Sequence, residues 1–218
     1  MDRQFTSRLL STAEVLAATL IVVGHNVYHV VPNEVPILAL GGLISLRLRD
    51  GWSALGLARP RSWRRTILVA LAAAALRILL GTLVIEPVTA RLWPPIAAPK
   101  GASDITGNWQ NALIALALVW TFAAFGEEIS YRAYLITRAA DLGRRSRAAW
   151  WIAMIFASVL FGLGHHFKGP AGMVDSGIAG VILGTAYLLE GRNLWVAVLA
   201  HGFIDTVAVA AVYFGWST

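Results

Sequence analysis

Residues 109–138 read WQNALIALALVWTFAAFGEEISYRAYLITR, and this stretch decides the fold. From Trp109 to Phe125 it is mostly apolar, with neither Pro nor a charged residue, the pattern of a helix suited to hydrocarbon. It then runs on through Glu127, Glu128 and Arg132 to Arg138 without a Pro to stop it. At ~1.5 Å per residue the whole segment makes a helix of roughly 45 Å, against a hydrocarbon core of ~30 Å. Its C-terminal half should therefore leave the bilayer or lie in a cavity lined by protein.

The rest of the chain reads the same way. Of 218 residues 57% are hydrophobic and 14% charged, with mean hydropathy +0.65. A soluble domain carries about 25% charged residues, so the composition excludes an ordinary cytosolic fold. There is no cysteine, which removes thiol nucleophiles, disulfides and thiolate metal sites together. Chemistry is left to His, Glu, Asp, Ser and Arg.

Apolar segments mark the spans of an all-α, polytopic transmembrane bundle of about seven helices. The first runs over 9–31, with Ser11 and Glu14 in the form of a capping box at its start. A second apolar run, Ile37 to Leu46, is too short for an upright span and is either re-entrant or extended by its flanks. Thr66 to Ile85 is the third span, and Pro87 to Asp104, with Pro94, Pro95 and Pro99, reads as an exposed loop. After 109–138 come Ala148 to Phe167, Met173 to Leu189 and Leu194 to Phe214. We divide the chain into an N-terminal transmembrane part with an Arg-rich loop, 1–106, and a catalytic core, 107–218.

A net charge of +6 would point to nucleic acid in a soluble protein. Here 14 of the 18 Lys and Arg fall on one side of a seven-span topology with the N-terminus inside, so the surplus is an orientation signal and no nucleic-acid partner is implied. Trp63, Trp150, Trp151 and Trp195 fall at that inner interface, and Trp93, Trp109 and Trp216 at the outer one. The expected setting is a cell membrane, multi-pass, with the N-terminus cytoplasmic and the C-terminus outside.

An ionisable side chain inside the bilayer costs about 2.5–3.5 kcal/mol and needs a reason. On an α-helix Glu128 and Arg132, four apart, pair, while Glu127 points ~100° away and keeps its carboxylate free. Phe161 and His165 share a face near the end of the fifth span, with Gly162 and Gly164 allowing close approach. His165 and His166 are adjacent, so only one faces the interior, and His165 is our choice. His201 and Asp205 lie four apart in the last span. Each motif alone has a structural reading: a solvated ion pair, an interfacial His, a buried His–Asp bond. Together they supply two imidazoles and several carboxylates from three helices.

Glu-Glu-x-x-x-Arg, Phe-x-x-x-His and His-x-x-x-Asp, in this order on separate apolar segments, resemble the CAAX-protease and bacteriocin-processing family of intramembrane glutamic endopeptidases, over roughly residues 107–210. The resemblance implies peptide-bond hydrolysis by water held between Glu127 and His165, with Glu127 as general base. His201 and Asp205 would support the oxyanion, and Glu128, Arg132 and Phe161 would support the site. An ionised Asp cannot donate to an oxyanion, so Asp205 would act protonated or by orienting His201. The implied partners are a peptide or protein substrate at the membrane and the lipid bilayer, with no cofactor.

Two alternatives stand beside this reading. Zinc held by His165, His201 and a carboxylate would make a metallopeptidase. A non-proteolytic regulator, immunity factor or scaffold could keep the same fold. His-Glu-x-x-His and Gly-x-Gly-Asp are absent, and each Gly-x-Ser lies in a loop or at the C-terminus. His25 and His29 read as interfacial, Arg77 as one half of an ion pair with Glu86, Glu128 or Asp205, and Gly172, Ser176, Gly180 and Gly184 as a helix-packing ridge. Counting rises along the helices puts His165 deeper from the inner face than Glu127 or His201, unless tilt or an unwound end at Gly164 closes the gap.

Overall fold

The computed structural model describes residues 3–93 and 102–216; over them the chain is helix and turn, without a strand. Seven long helices follow in order: α1 (Arg3–Asn26), α2 (Glu34–Arg49), α3 (Trp63–Leu92), α4 (Trp109–Leu142), α5 (Arg147–Leu163), α6 (Gly169–Leu189) and α7 (Leu194–Tyr213). The expected all-α bundle is what forms. Five segments are long and apolar enough to cross a bilayer: Ser7–Asn26, Trp63–Leu92, Trp109–Leu142, His166–Leu189 and Leu194–Tyr213. The 16-residue α2 and 17-residue α5 are shorter.

Local chemistry sets the starts. Asn33, Ser62, Asn108, Ser146 and Asn193 each accept a backbone N–H of the following turn, satisfying a donor the helix cannot. Ser11 and Glu14 are not such a cap. α1 begins upstream of them, so their side chains are free to bond across helices. Ser11 donates to Asp141 at 2.8 Å, and Glu14 accepts from Ser45 at 2.5 Å and pairs with Arg49 at 2.6 Å. The short second run gains Glu34–Pro36 and Arg47–Arg49 from its flanks, yet spans only ~24 Å. It lies against α4, where Gly42 lets Tyr134 come within 2.7 Å of the position a Cβ would take.

The exposed loop expected from Pro87 starts later. α3 continues to Leu92 because its backbone widens into a π-helical turn at Gly81–Ile85, which places Pro87, lacking an N–H, in the first turn of the segment that follows. Pro94, Pro95 and Pro99 lie outside the described residues, and Ala102–Ile105 form a single turn.

The helix over 109–138 reaches Leu142, and its middle, Val119–Leu135, is π-helical. As expected, its C-terminal half lies in protein: Ser130 through Arg138 are buried, with α2, α5 and α7 packed around α4. The ridge on α6 packs on α5, Gly180 over Ser158 and Gly184 over Met154, while a Cβ on Gly162 of α5 would meet Met173 O at 2.6 Å. At the Arg-rich end, the 51–62 loop is pinned to the start of α7. Leu194 N–H donates to Gly56 O at 2.8 Å, Trp195 Nε1 to Leu57 O at 3.0 Å and Asn193 Nδ2 to Ala58 O at 3.0 Å. Trp63 and Trp195 meet there at 5.6 Å.

Candidate active site

Three helices deliver the polar residues singled out in the sequence. α4 carries Glu127, Glu128 and Arg132, α5 carries Phe161 with His165 just beyond its end, and α7 carries His201 and Asp205. Glu128, Arg132, Phe161 and His201 are buried, while Glu127, His165 and Asp205 are half-buried and His166 is exposed. His165 is thus the inward member of its pair.

Glu128 and Arg132 make the expected pair, with Oε1 to NH1 at 3.0 Å. Glu128 also has a partner that helical spacing does not foretell: His201 Nδ1 lies 2.8 Å from the same oxygen. A carboxylate accepts, so Nδ1 carries the proton of this bond and Nε2 is turned to the opposite edge of the ring. There it stands 3.8 Å from Glu127 Oε2 and 3.5 Å from Asp205 Oδ2. Glu127 is therefore not isolated from its neighbour's network. One imidazole addresses both adjacent carboxylates, because its two nitrogens reach in opposite directions.

His165 enters from the other side. α5 ends at Leu163 and the chain turns through Gly164 into a short 3₁₀ turn, so the helix does unwind at Gly164, one of the two ways open for the depth gap to close. His165 Nδ1 lies 2.9 Å from Phe161 O, so it donates its proton there and leaves Nε2 as the acceptor of the neutral ring. The Phe161 ring neighbours both imidazoles, 4.8 Å from that of His165 and 6.1 Å from that of His201. The Arg132 guanidinium sits 4.5 Å over the same ring, and Tyr131 meets it edge-on at 5.1 Å. Among the described imidazoles it is His201 that comes within 4 Å of Glu127, at 3.8 Å.

Buried polar atoms nearly always find hydrogen-bond partners. Here Glu127 Oε2, Glu128 Oε2 and both terminal nitrogens of Arg132 have none in hydrogen-bond geometry. A π-helix is itself uncommon and concentrates at functional sites. The cluster is built with unused bonding capacity.

Glu34, at the start of α2, was not among the candidates. It is buried, accepts from Asn26 Nδ2 at 3.0 Å and pairs with His25 Nε2 at 3.4 Å. Its Oε1 and the Tyr131 hydroxyl crowd Gly164, at 3.3 and 3.0 Å from where a Cβ would stand. His25 therefore has a structural partner beyond the interface. His29 sits exposed in a left-handed turn (φ 55°). Asn26 and His25 are near Glu34 in sequence, but only tertiary packing could bring Tyr131 and Gly164 to it. Arg77 likewise pairs with none of the three acids expected of it but with Asp175 on α6, at 2.5 Å. Among the described residues, no group of three or more His, Asp or Glu side chains is arranged to hold a metal ion.

No curated protein and no solved structure matches the chain. A family model does match, over residues 109–207, the stretch that carries all three motifs. Over that stretch the chain is similar to the type II CAAX prenyl endopeptidase Rce1-like family.

Proposed function

We propose that this chain is an intramembrane glutamic endopeptidase, hydrolysing a peptide bond of a membrane-associated peptide or protein with water activated by Glu127. The observation that carries the reading is the buried Glu127 Oε2, without a hydrogen-bond donor, where α4 and α7 meet beside the His165 turn. Glu128 Oε1 holds both Arg132 and His201, so although its Oε2 is unbonded its charge is already countered, and Glu127 is the carboxylate left to take a proton.

In the proposed reaction a water oxygen adds to the substrate carbonyl carbon as its proton passes to Glu127. The carbonyl π pair moves onto oxygen, and collapse of the tetrahedral intermediate breaks the C–N bond as Glu127 returns the proton to the leaving amine. With Nδ1–H committed to Phe161 O, a neutral His165 offers only an acceptor at Nε2 and is suited to holding the water. His201, its Nδ1–H on Glu128, presents Nε2, which donates to the oxyanion when protonated. Asp205 beside Nε2 would then act by holding that proton in place. This scheme calls on no cofactor. We further propose a multi-pass cell-membrane setting with the Arg-rich end and the N-terminus cytoplasmic and the C-terminus outside, which the basic surplus at that end supports.

The test is cleavage of a peptide reporter by pure protein. Wild type should cleave, and Glu127→Ala and His165→Ala should not; equal activity of Glu127→Ala overturns the assignment. Full activity after exhaustive chelation excludes the zinc alternative, and loss of activity restored by zinc establishes it.

A further inference from the structure

Away from this site, the Arg-rich end carries a cavity of about 410 Å³ between the 51–62 loop, the start of α3 and the α6–α7 turn. Its charged lining is Arg59, Arg61, Arg65, Arg192 and Glu190. Glu190 is already used: its Oε1 takes Arg65 Nε at 2.9 Å and NH2 at 2.8 Å. Arg59, Arg61 and Arg192 have no carboxylate partner among the described residues. Arg59 and Arg61 thus line the concavity without a counter-charge from the protein, and Arg192 stands at its edge, its guanidinium over the Trp150 ring of the adjoining pocket.

The positive-inside effect accounts for Arg at this end of the bundle but not for a pocket among them. The walls are fixed. The loop bearing Arg59 and Arg61 is pinned to residues 193–195 by the three hydrogen bonds given above, and Gly56 (φ 70°) packs its α-carbon against the Arg192 carbonyl. Arg192 itself adopts a left-handed backbone (φ 65°), a conformation disfavoured for a side chain of its size, and its guanidinium lies 4.4 Å over the Trp150 ring. Trp63 and Trp195 meet beside the cavity and Trp150 lies under Arg192, three of the tryptophans that the sequence assigns to the inner interface, where aromatic belts meet lipid headgroups.

We propose that this cavity is a binding site for a phosphate group, supplied by the headgroup of an anionic phospholipid. Guanidinium forks match phosphate oxygens in pairs, and basic pockets between membrane helices near the headgroup level take anionic lipids. The site is separate from the Glu127 cluster and does not depend on the proteolytic reading. Because Leu194 begins α7, an occupant would also brace the helix that carries His201.

The experiment uses the full chain in neutral detergent, titrated with dihexanoyl phosphatidylglycerol, dihexanoyl phosphatidylcholine or inorganic phosphate. Bound ligand is read by native mass spectrometry and the melting temperature by light scattering. Phosphatidylglycerol should bind and raise the melting temperature, and phosphatidylcholine should do neither. Affinity should fall about 10-fold or more in R59Q/R61Q/R192Q. R64Q/R144Q/R147Q, which removes the same charge from the same end but outside the cavity, should bind like wild type. Saturation by inorganic phosphate at similar concentrations, lost in the first variant only, would support the phosphate site but assign it to a soluble phosphate. Equal binding by the two triple variants, or equal stabilisation by phosphatidylcholine, overturns the proposal, whichever way the cleavage assay falls.

Discussion

Arg132 and Arg138 lie six residues apart on α4, both almost fully buried, and their surroundings differ in kind. Arg138 is held from several sides: Nε by Glu14 at 3.1 Å and Ser45 at 3.0 Å, NH1 by Asp50 at 2.8 Å and Asp141 at 3.0 Å. Arg49 and Arg145 share the same three acids, so three arginines and three carboxylates close a network joining α1, α2 and α4. Arg132 has one acid, Glu128, and an aromatic face, and neither terminal nitrogen has a hydrogen-bond partner. Arg138 keeps one open nitrogen, NH2, against two on Arg132, and a buried network so nearly saturated fixes structure. An unsaturated one retains donors and acceptors for charge that develops during a reaction.

The comparison breaks most visibly at Glu127. Replacing it by Gln keeps the shape and removes the base, so reporter cleavage should fall by about 10²–10⁴-fold, while unfolding in mixed micelles shifts by no more than about 1 kcal/mol. A comparable loss of stability would place Glu127 in a structural network like that of Arg138. Arg138→Met is the converse: it leaves Glu14, Asp50 and Asp141 without their central cation and should cost about 3–5 kcal/mol in the same unfolding assay. Arg132→Met, with fewer bonds to lose, should cost less stability and more activity. Equal stability losses for the two would erase the distinction.

The network around Arg138 extends into the loops at Asp50 and Arg145, and there pH sharpens it. Burial pushes the Asp50 carboxyl up, but hydrogen bonds and charge from Arg145 and Arg138 outweigh that and hold it below its ordinary value. Arg145 loses to burial and gains more from Asp141 and Asp50, so it stays charged to higher pH than usual. The sign follows. A depressed carboxyl contributes stability that is present above the unfolded value, near 3.9, and lost as pH falls through the folded one. Melting temperature should therefore drop below about pH 4 in wild type, and Asp50→Asn should be less stable at pH 7 with a shallower acid limb. An acid limb unchanged in Asp50→Asn would show that other carboxylates dominate it.

Much of this was legible in the sequence, for reasons that show where legibility stops. The excess length of 109–138 and the apolar segments around it foretold an all-helical bundle and a buried C-terminal half for α4, because both follow from hydrocarbon thickness and helix rise. The Glu128–Arg132 pair and the α6 ridge followed from spacing on one helix. The His201–Glu128 bond did not, since it depends on how α7 rotates against α4. The π-helical turns were invisible too: they absorb Pro87 and reshape the face of α4 without any residue that announces them. Glu34 escaped because an acid between Pro32 and Pro36 reads as part of a solvated turn, whereas it opens α2 and is buried against Gly164.

The Arg77–Asp175 pair, another charged contact between helices, was half legible: the arginine demanded a partner, but three wrong acids were nearer in kind to the motifs. It lies between the two networks in character, with one cation, one anion and partial exposure of both, and Arg77 Nε and Asp175 Oδ1 unbonded. Its place in the comparison can be measured by a double-mutant cycle. Removing either partner alone leaves a charge without its counter-ion and should destabilise, whereas Arg77→Met with Asp175→Leu exchanges a desolvated pair for apolar packing between α3 and α6. The double variant should unfold within about 1 kcal/mol of wild type and cleave at close to the wild-type rate, since neither side chain bonds to a residue of the Glu127 cluster and Arg77 acts on Asp205 only through charge. If it instead loses several kcal/mol, the pair is a structural anchor of the Arg138 kind. If it keeps its stability but loses cleavage, the pair belongs with Arg132, as charge held in reserve for the reaction.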